Sequence, residues 1–332
     1  MAHFKPFHRN IGINGVPELT IAGQIIRAAD DANLLDTLLA AGLAIPYSCR
    51  AGSCHACLLR CTAGEPLDAR PDALTPAQRA AGWRLACQCR IAGDLTLEVF
   101  DPRRDGIPAR IHSLEWLTAD ILRLRLLPQR PLRYGAGQHL LLWAAHGVAR
   151  PYSLASLPGE DQWLEFHIDC SRPGAFSDQA RQLTPDSSLN LGELHGGALH
   201  YDPQWQTRPL LLLAAGTGLA PLWAVLREAL RQEHQGPIRL LHVAREQTGH
   251  YLAAELATLA GQHPGLQVEL LPASEQAAAL ANLQLASRQT IALVCGPPAA
   301  VEGFSRRLYL AGLPRSQVYA DIFLPSANPA PA

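Results

Sequence analysis

The sequence predicts a multidomain chain that combines α+β and α/β architecture, and three observations indicate this fold class. Six of the eight cysteines fall within the first hundred residues. Short strands of alternating apolar and polar residues follow, and after about residue 206 apolar strands alternate with helical stretches. At about 150 residues per domain, 332 residues make two or three domains. We therefore expect a small α+β domain at 1–103, an antiparallel β-barrel at 104–206 and a parallel-sheet domain at 207–332.

Composition and charge exclude several classes of function. The 28 basic and 29 acidic side chains give a net charge of −1, so the basic excess typical of proteins that bind nucleic acids or membrane surfaces is absent. Lys5 is the only lysine, which excludes Schiff-base lysine chemistry elsewhere in the chain. The first ten residues lack the apolar run of a signal peptide, so we expect a cytoplasmic protein. The charge-free segment Pro209–Leu226 fits a buried strand, a glycine turn and a helix start better than a membrane span.

The cysteines of the first domain follow the pattern C-x4-C-x2-C-x29-C, formed by Cys49, Cys54, Cys57 and Cys87. This is the spacing of plant-type [2Fe-2S] sites, in which one loop supplies three thiolates and a distant element supplies the fourth. Small residues at 51–53 allow backbone N–H groups to approach the cluster sulfides. The domain ends in an alternating strand at 95–99, and a polar, proline-bearing connector follows at 101–108.

The pattern alone leaves two candidates for the fourth ligand, Cys87 and Cys89. A helix that starts after Thr75-Pro76 and ends near Gly82 would return the chain toward the loop. If 85–90 is extended, Cys87 and Cys89 point to the same face, and only the spacing and the Leu-Ala-Cys-Gln context favour Cys87. A disulfide framework and a structural zinc site are the alternatives. The zinc site would use Cys54, Cys57, Cys87 and Cys89. Without such a site, Cys61, Cys89 and Cys170 are expected to be small buried residues.

The segment Tyr47–Cys57, YSCRAGSCHAC, resembles the cluster loop of plant-type ferredoxins. The resemblance implies a [2Fe-2S] cluster held by the four cysteines in an N-terminal β-grasp domain. Soluble plant ferredoxins are strongly acidic, whereas residues 1–100 carry nine basic and nine acidic side chains. This balance indicates a domain that receives its electrons from within its own polypeptide.

The middle domain shows a strand pattern and two segments that resemble flavin-binding motifs. Leucines at 122, 124 and 126 alternate with arginines, and apolar residues alternate with polar ones at 164–169, which predicts a half-buried antiparallel sheet or barrel. The segment 150–153 resembles the Arg-x-Tyr-Ser motif of the ferredoxin–NADP reductase superfamily, and it follows a glycine-glutamine segment, YGAGQ, at 134–138. The resemblance implies that Arg150 neutralises a phosphate, Tyr152 lies against the isoalloxazine and Ser153 hydrogen-bonds near N5.

A second phosphate site is expected at 174–177, GAFS, which resembles the pyrophosphate site of the FAD-binding members of this superfamily. The resemblance implies that a helix N-terminus and the Ser177 hydroxyl meet the flavin pyrophosphate. It favours FAD over FMN. The residues assigned to this site are Gly174, Phe176 and Ser177.

The third domain carries two glycine motifs that resemble the nicotinamide site of the same superfamily. GTGLAP at 216–221 follows an apolar strand, and CGPP at 295–298 ends another. Glycines at a helix start allow backbone N–H groups to approach a pyrophosphate. The resemblance implies that Cys295 sits beside the nicotinamide C4. The residues assigned to binding are Gly216, Thr217, Gly218, Pro221, Cys295, Gly296 and Pro297.

The C-terminal segment Tyr319–Phe323 resembles the superfamily segment that covers the flavin where the nicotinamide docks. Asp321 and Phe323 are implied to act there, with Ser153 and Cys295 as the other catalytic residues and Phe323 as a movable lid. The tail 324–332 departs from plant members, which stop at the aromatic residue. His195-Gly196-Gly197 stands where a Gly-Pro-x-Gly turn is expected, and it has no assigned role.

The order of these motifs is similar to that of reductase components of bacterial multicomponent oxygenases. A nicotinamide gives two electrons as hydride and a cluster takes one, so a flavin must stand between them. We expect electrons to pass from NADH through FAD and the cluster to a protein acceptor, an oxygenase. NADPH stays open because Arg245 could meet a 2′-phosphate, which Glu246 would oppose. A deoxysugar dehydratase as acceptor, or a zinc-stabilised protein without catalytic activity, are the other hypotheses.

Overall fold

Residues 16–324 are described in the computed structural model, and they form two compact units. The first comprises the described residues up to Ile45 together with Arg50–Phe100, and the second comprises Pro46–Cys49 and the described residues from Asp101 onward. Lys5 and the tail residues 325–332, which the sequence analysis singled out, lie outside the described residues. The division predicted at residue 206 falls inside the second unit and stays a prediction.

The first unit combines a mixed sheet with two short helices. Its strands are β1 (Glu18–Ile21), β2 (Gln24–Arg27), β3 (Leu58–Ala63), β4 (Leu67–Asp68), β5 (Trp83–Leu85), β6 (Cys89–Arg90) and β7 (Leu95–Val99), and its helices are α1 (Leu34–Ala40) and α2 (Pro76–Ala80). The main sheet has the order β2-β1-β7-β3-β5, in which the central pair β1–β7 is parallel and the other pairs are antiparallel. Strands β4 and β6 form a separate pair. This arrangement confirms the predicted β-grasp domain.

Both helices of this unit begin with residues that cap their free N–H groups. The Asn33 side chain accepts from the N–H of Asp36, and the leucines of α1 are buried. Thr75 and Gln78 form a capping box, and Pro76 occupies the first turn of α2. The helix predicted after Thr75-Pro76 is therefore confirmed, and it ends at Ala80, two residues before Gly82.

The second unit begins with a six-stranded antiparallel sheet of order β11-β10-β13-β8-β9-β12. A backbone hydrogen bond from Ala155 N–H to Glu165 O, 2.8 Å, joins the chain after β11 to β12, so the two edges of the sheet meet as in a barrel. The helix α3 (Ala175–Ala180) follows β12. The strands are β8 (Ile107–Trp116), β9 (Ile121–Pro128), β10 (His139–Trp143), β11 (Ala149–Ser153), β12 (Leu164–Asp169) and β13 (Ser188–His195).

The strands β9 and β12 are more buried than the alternating pattern predicts. We expected one solvated face, but Arg123, Glu165 and His167 are all less than one-tenth exposed. Tyr251, which precedes a helix of the parallel-sheet half, packs edge-on against His167 with 5.1 Å between ring centroids. The polar residues of this face are therefore covered by the rest of the same unit rather than by water.

The parallel sheet has the order β16-β15-β14-β17-β18, with every neighbouring pair parallel. Its strands are β14 (Leu210–Ala215), β15 (Ile238–Ala244), β16 (Leu266–Pro272), β17 (Ile291–Gly296) and β18 (Val318–Ile322), and its helices are α4 (Leu219–Arg231), α5 (Ala253–Gln262), α6 (Ala273–Ala281) and α7 (Pro298–Leu310). The segment Pro209–Leu226 forms β14, a tight turn and the start of α4, as expected. Among the described residues, no helix has the length and apolarity needed to cross a bilayer.

Candidate functional site

The cysteine loop of the first unit curls through three residues with positive φ. These are Arg50, Gly52 and His55, with φ of 51°, 78° and 55°. A Cβ on Gly52 would lie 3.1 Å from Cγ of Gln88, so glycine allows the loop to pack against the segment that carries Cys87. Backbone that turns in this way directs successive N–H groups inward, as sites for anionic clusters require.

Two of the predicted ligands, Cys57 and Cys87, lie in direct contact. The N–H of Cys87 donates to Sγ of Cys57 at 3.5 Å, and the side-chain amide of Gln88 donates to Sγ of Cys87 at 3.2 Å. A side-chain hydrogen bond with the Cys87 thiol, together with burial, raises the pKa of Cys57 well above its ordinary value, and the backbone N–H of Cys87 opposes this shift. Cys57 is buried and Cys87 is half-buried, and thiols this close lose their protons together only when a cation compensates the charge. The donor set therefore fits iron.

The structure also separates Cys87 from Cys89. Residues 86–88 form a short 3₁₀ turn, so the segment 85–90 is not continuously extended and the two cysteines do not share a strand face. Cys89 is fully buried in β6 opposite Asp68, and burial raises the pKa of its thiol. This geometry favours Cys87, while the complete ligand set stays a prediction. All eight cysteines, which lie within the described residues, are free of disulfides.

The predicted flavin motif lies on β11 beside the glycine-glutamine segment. Ser153 pairs with His139 of β10, and the N–H of Leu154 donates to the carbonyl of Gln138 at 2.8 Å. The ring of Tyr152 lies 4.9 Å from the ring of Phe176, and burial raises the pKa of Tyr152. The guanidinium of Arg150 donates to the carbonyl of Ala149 at 2.7 Å. The predicted flavin residues of the barrel are thus adjacent.

The predicted pyrophosphate segment already uses its polar groups internally. Gly174 is the residue before α3, and its N–H donates to the Asp178 carboxylate at 3.2 Å. The Ser177 hydroxyl lies 3.0 Å from the carbonyl of Arg172 and 3.2 Å from that of Gly174. A phosphate at this segment would have to replace these contacts. The roles of Gly174 and Ser177 therefore stay predictions.

The two glycine motifs of the parallel-sheet half pack against each other. A Cβ on Gly218 would lie 2.3 Å from the carbonyl oxygen of Cys295, and a Cβ on Gly296 would lie 2.8 Å from Cβ of Ala215. Both contacts exclude any larger residue. Because β14 and β17 are adjacent and parallel, Gly216–Gly218 and the CGPP segment lie at the same carboxyl edge, where open parallel sheets bind dinucleotides. Pro221 is buried in the first turn of α4, and Pro297 is exposed at the start of α7.

The predicted catalytic residues of β17 and β18 lie at the same edge. Cys295 pairs with Asp321, and the N–H of Phe323 donates to the carbonyl of Gly296 at 2.8 Å. Burial raises the pKa of Cys295 and of Asp321, and the nearby His139 opposes the shift of Asp321. His139 is the neighbour of Ser153, so this residue links the edge of the parallel sheet to the flavin motif.

Several buried polar residues were not found from the sequence. Glu165 is buried in the alternating strand β12, where the pattern gave no signal of burial, and His242 is buried in β15, where a polar residue inside the apolar run 240–243 was the available signal. His195 lies at the end of β13 opposite His139, with 5.8 Å between their ring centroids. No role for these histidines followed from the sequence, and the structure places His139 beside Ser153 and His242 beside Gly216.

Comparisons with known proteins agree with the predicted cluster domain and with the predicted nicotinamide domain. Residues 19–92 match the family of 2Fe-2S iron-sulfur cluster binding domains, and residues 212–306 match the oxidoreductase NAD-binding domain family. A ferredoxin–NAD(P)+ reductase component of the naphthalene 1,2-dioxygenase system of Pseudomonas putida is 33% identical over 321 residues, which covers 91% of this chain and 96% of that protein. A CDP-6-deoxy-L-threo-D-glycero-4-hexulose-3-dehydrase reductase of Yersinia pestis is 26% identical over 92% of this chain and 97% of that protein.

Solved structures of reductases are similar to this chain over most of its length. The cytochrome P450 reductase of Amycolatopsis has a TM-score of 0.62 at 25% identity, over 93% of this chain and 99% of that structure. A ferredoxin reductase of carbazole 1,9a-dioxygenase, also solved in an FAD apo form, has a TM-score of 0.62 at 25% identity over 93% of this chain and 98% of that structure. The predicted cofactors, a [2Fe-2S] cluster, FAD and NAD(P)H, are thereby supported. The chain belongs to the NAD(P)H-dependent flavin and iron–sulfur reductases that include the ferredoxin–NAD(P)+ reductase components of oxygenase systems.

Proposed function

We propose that this protein is a cytoplasmic NADH-dependent reductase that passes electrons through FAD and a [2Fe-2S] cluster to an oxygenase component. One observation carries the proposal: a single chain combines a cysteine loop suited to iron with a dinucleotide edge next to a flavin motif. His139 lowers the pKa of Asp321 at that edge, against the effect of burial, and His139 also pairs with Ser153 on the flavin sheet. The full-length similarity to a dioxygenase reductase component supports the choice of acceptor.

The residues of the chain bind and orient the cofactors, and they exclude water from the site. The glycines at 216 and 218 allow the backbone to approach the pyrophosphate of NADH, and the buried Cys295 leaves an apolar floor for the nicotinamide. Tyr152 and Phe323 would offer aromatic rings to the flavin. When bound, FAD supplies acceptance of a hydride and release of its electrons one at a time to the cluster. We propose Cys49, Cys54, Cys57 and Cys87 as the cluster ligands.

The choice of NADH over NADPH rests on the residues after β15. Arg245 and Glu246 are both exposed, directly after the strand end at Ala244. A carboxylate at this position accepts hydrogen bonds from the ribose hydroxyls and repels a 2′-phosphate. We propose that the charge of Glu246 offsets that of Arg245 and makes NADH the preferred donor.

The test is anaerobic mixing of the reconstituted protein with NADH or with NADPH, followed by absorbance of the flavin and of the cluster. We expect both chromophores to bleach, and NADH to act at least tenfold more efficiently than NADPH. A protein that keeps its cluster oxidised while its flavin is reduced would contradict the relay. The similarity to a hexulose dehydrase reductase favours one second candidate acceptor. Transfer of electrons to a dehydrase but not to any ring-hydroxylating or demethylating oxygenase would replace the proposed partner and keep the relay.

A further inference from the structure

A buried imidazole lies beneath the glycine turn that follows β14. His242 is fully buried in β15 beside Ala214, and its Nε2 lies 3.1 Å from the carbonyl oxygen of Gly216. Its ring meets those of His250 and Tyr251 edge-on, at 5.2 Å and 5.5 Å between centroids. These contacts fix the position of the ring next to the turn.

The hydrogen-bond partners also fix which nitrogen of His242 carries the hydrogen. Burial lowers the pKa of His242 to about 4, so the ring is neutral at pH 7 and has one N–H. The carbonyl of Gly216 can only accept, and therefore Nε2 is the donor. The other nitrogen, Nδ1, then has a lone pair that can accept from an Nδ1–H of His250, 3.4 Å away. The contact with His250 is thus compatible with the tautomer of His242 that holds the turn.

Gly216 has a backbone conformation that favours glycine. Its φ is +55°, and a Cβ built on it would meet nothing within 4 Å, so no packing contact at that position holds the residue. Its carbonyl accepts from Leu219 N–H and from His242, which satisfies both lone pairs of the oxygen. Because a peptide group is planar and trans, a carbonyl directed toward His242 directs the N–H of Thr217 to the opposite side.

We propose that His242 is a positioning residue that locks the Gly216–Thr217 peptide and so presents the Thr217 N–H to the pyrophosphate of the nicotinamide dinucleotide. The inference rests on the proposed function, since it assigns a task within the same nucleotide site. His242 itself contacts no substrate. Its contribution is to remove in advance the conformational freedom that the glycine turn would otherwise lose on binding.

The test compares variants of His242 in the holoprotein. His242→Leu removes the donor and keeps an apolar side chain of similar size, whereas His242→Gln keeps an N–H that reaches Gly216. We expect the Kd for NAD+, measured by calorimetry, and the KM for NADH to rise about five- to tenfold in the Leu variant, which is the worth of one hydrogen bond. In the Gln variant both constants stay within about twofold of wild type, and in both variants kcat at saturating NADH stays within about twofold.

One further measurement and one further variant distinguish a positioning role of His242 from a packing role. The Kd for AMP, which lacks the pyrophosphate, is expected to stay the same in every variant. His242→Asn has the same amide as the Gln variant but is one methylene too short, so it serves if the Leu variant does not fold, and it should weaken NAD+ binding as the Leu variant does.

Equal NAD+ binding by wild type, Leu and Asn variants would overturn the inference, and so would equal losses in the Gln and Asn variants. Failure of the wild type to bind NAD+ or to be reduced by NADH would instead refute the proposed function. The two failures are thus distinguishable in the same experiment.

Discussion

Glu165→Gln tests how much the buried polar face of the flavin sheet contributes to stability. The Glu165 carboxylate accepts from Arg125 at 2.7 Å and from His167 at 3.0 Å. Although burial alone would raise it, the pKa of this carboxyl is lowered from 4.5 to about 2 by His167, Arg125 and Arg123. A shift of this size corresponds to about 3 kcal/mol of differential stabilisation. Because Arg123 also bonds Glu115 and Glu255, at 2.9 Å and 3.0 Å, it is not left unpaired in the variant. We therefore expect a loss of about 2–3 kcal/mol in the free energy of unfolding of the second unit.

The pH dependence of this loss gives a second check. The pKa of Glu165 in the folded state lies below its value in the unfolded chain, so its stabilisation is present above about pH 4.5 and is lost as the pH falls toward 2. The difference between wild type and Glu165→Gln should stay constant from pH 8 to about pH 5 and shrink below it. Urea unfolding followed by tryptophan fluorescence measures it, since Trp163 lies 4.9 Å from the Arg125 guanidinium.

Glu160→Gln is the matched control in the same unit. Its side chain is 42% exposed and contacts Arg227 at 3.0 Å, while Asp161 holds the same arginine at 2.7 Å. We expect a loss of less than about 0.5 kcal/mol. Equal losses in the two variants, or a Glu165→Gln effect that persists undiminished to pH 3, would refute the reasoning from burial.

Three further predictions concern the predicted site residues, and the first of them has Cys89→Ser as its control. Cys87→Ser should lose cluster iron and visible absorption, whereas Cys89→Ser should keep both. If Cys87→Ser kept its iron, or if Cys89→Ser lost it, the fourth ligand would have to be reassigned. Gly218→Ala places a Cβ 2.3 Å from the carbonyl oxygen of Cys295 and should raise the KM for NADH more than about tenfold with normal flavin content, so an unchanged KM would show that the turn does not bind the nucleotide. Tyr152→Ala removes an aromatic surface from the flavin motif and should weaken FAD binding about tenfold in a flavin-release titration, and unaltered FAD affinity would remove Tyr152 from the site.

The fold could be predicted from the sequence where one physical signal dominates. The apolar run at 210–214 has no polar alternation, and it forms the central parallel strand β14 with every residue buried. The capping box at Thr75 encodes a helix start locally, and it appears where expected. The cysteine spacing predicts the cluster because loop length restricts which thiols can converge.

The remaining features depend on contacts that are distant in sequence. The alternation of β12 indicated water on one face, but Tyr251 covers His167, and nothing within the strand encodes this neighbour. The choice between Cys87 and Cys89 depends on a 3₁₀ turn of three residues, which the strand periodicity of its flanks conceals. From the sequence alone His242 is indistinguishable from a core histidine. Only the register of the parallel strands places it beside the turn that follows Ala214.

An anaerobic reductive titration tests the central claim, that one chain holds both a carrier of electron pairs and a carrier of single electrons. The reconstituted protein is titrated with dithionite while flavin absorbance and the EPR signal of the reduced cluster are recorded. The account predicts about three electron equivalents per wild-type chain and about two for Cys87→Ser, whose EPR signal should be absent. Uptake of only two equivalents by iron-replete wild-type protein, with no EPR signal, would contradict it.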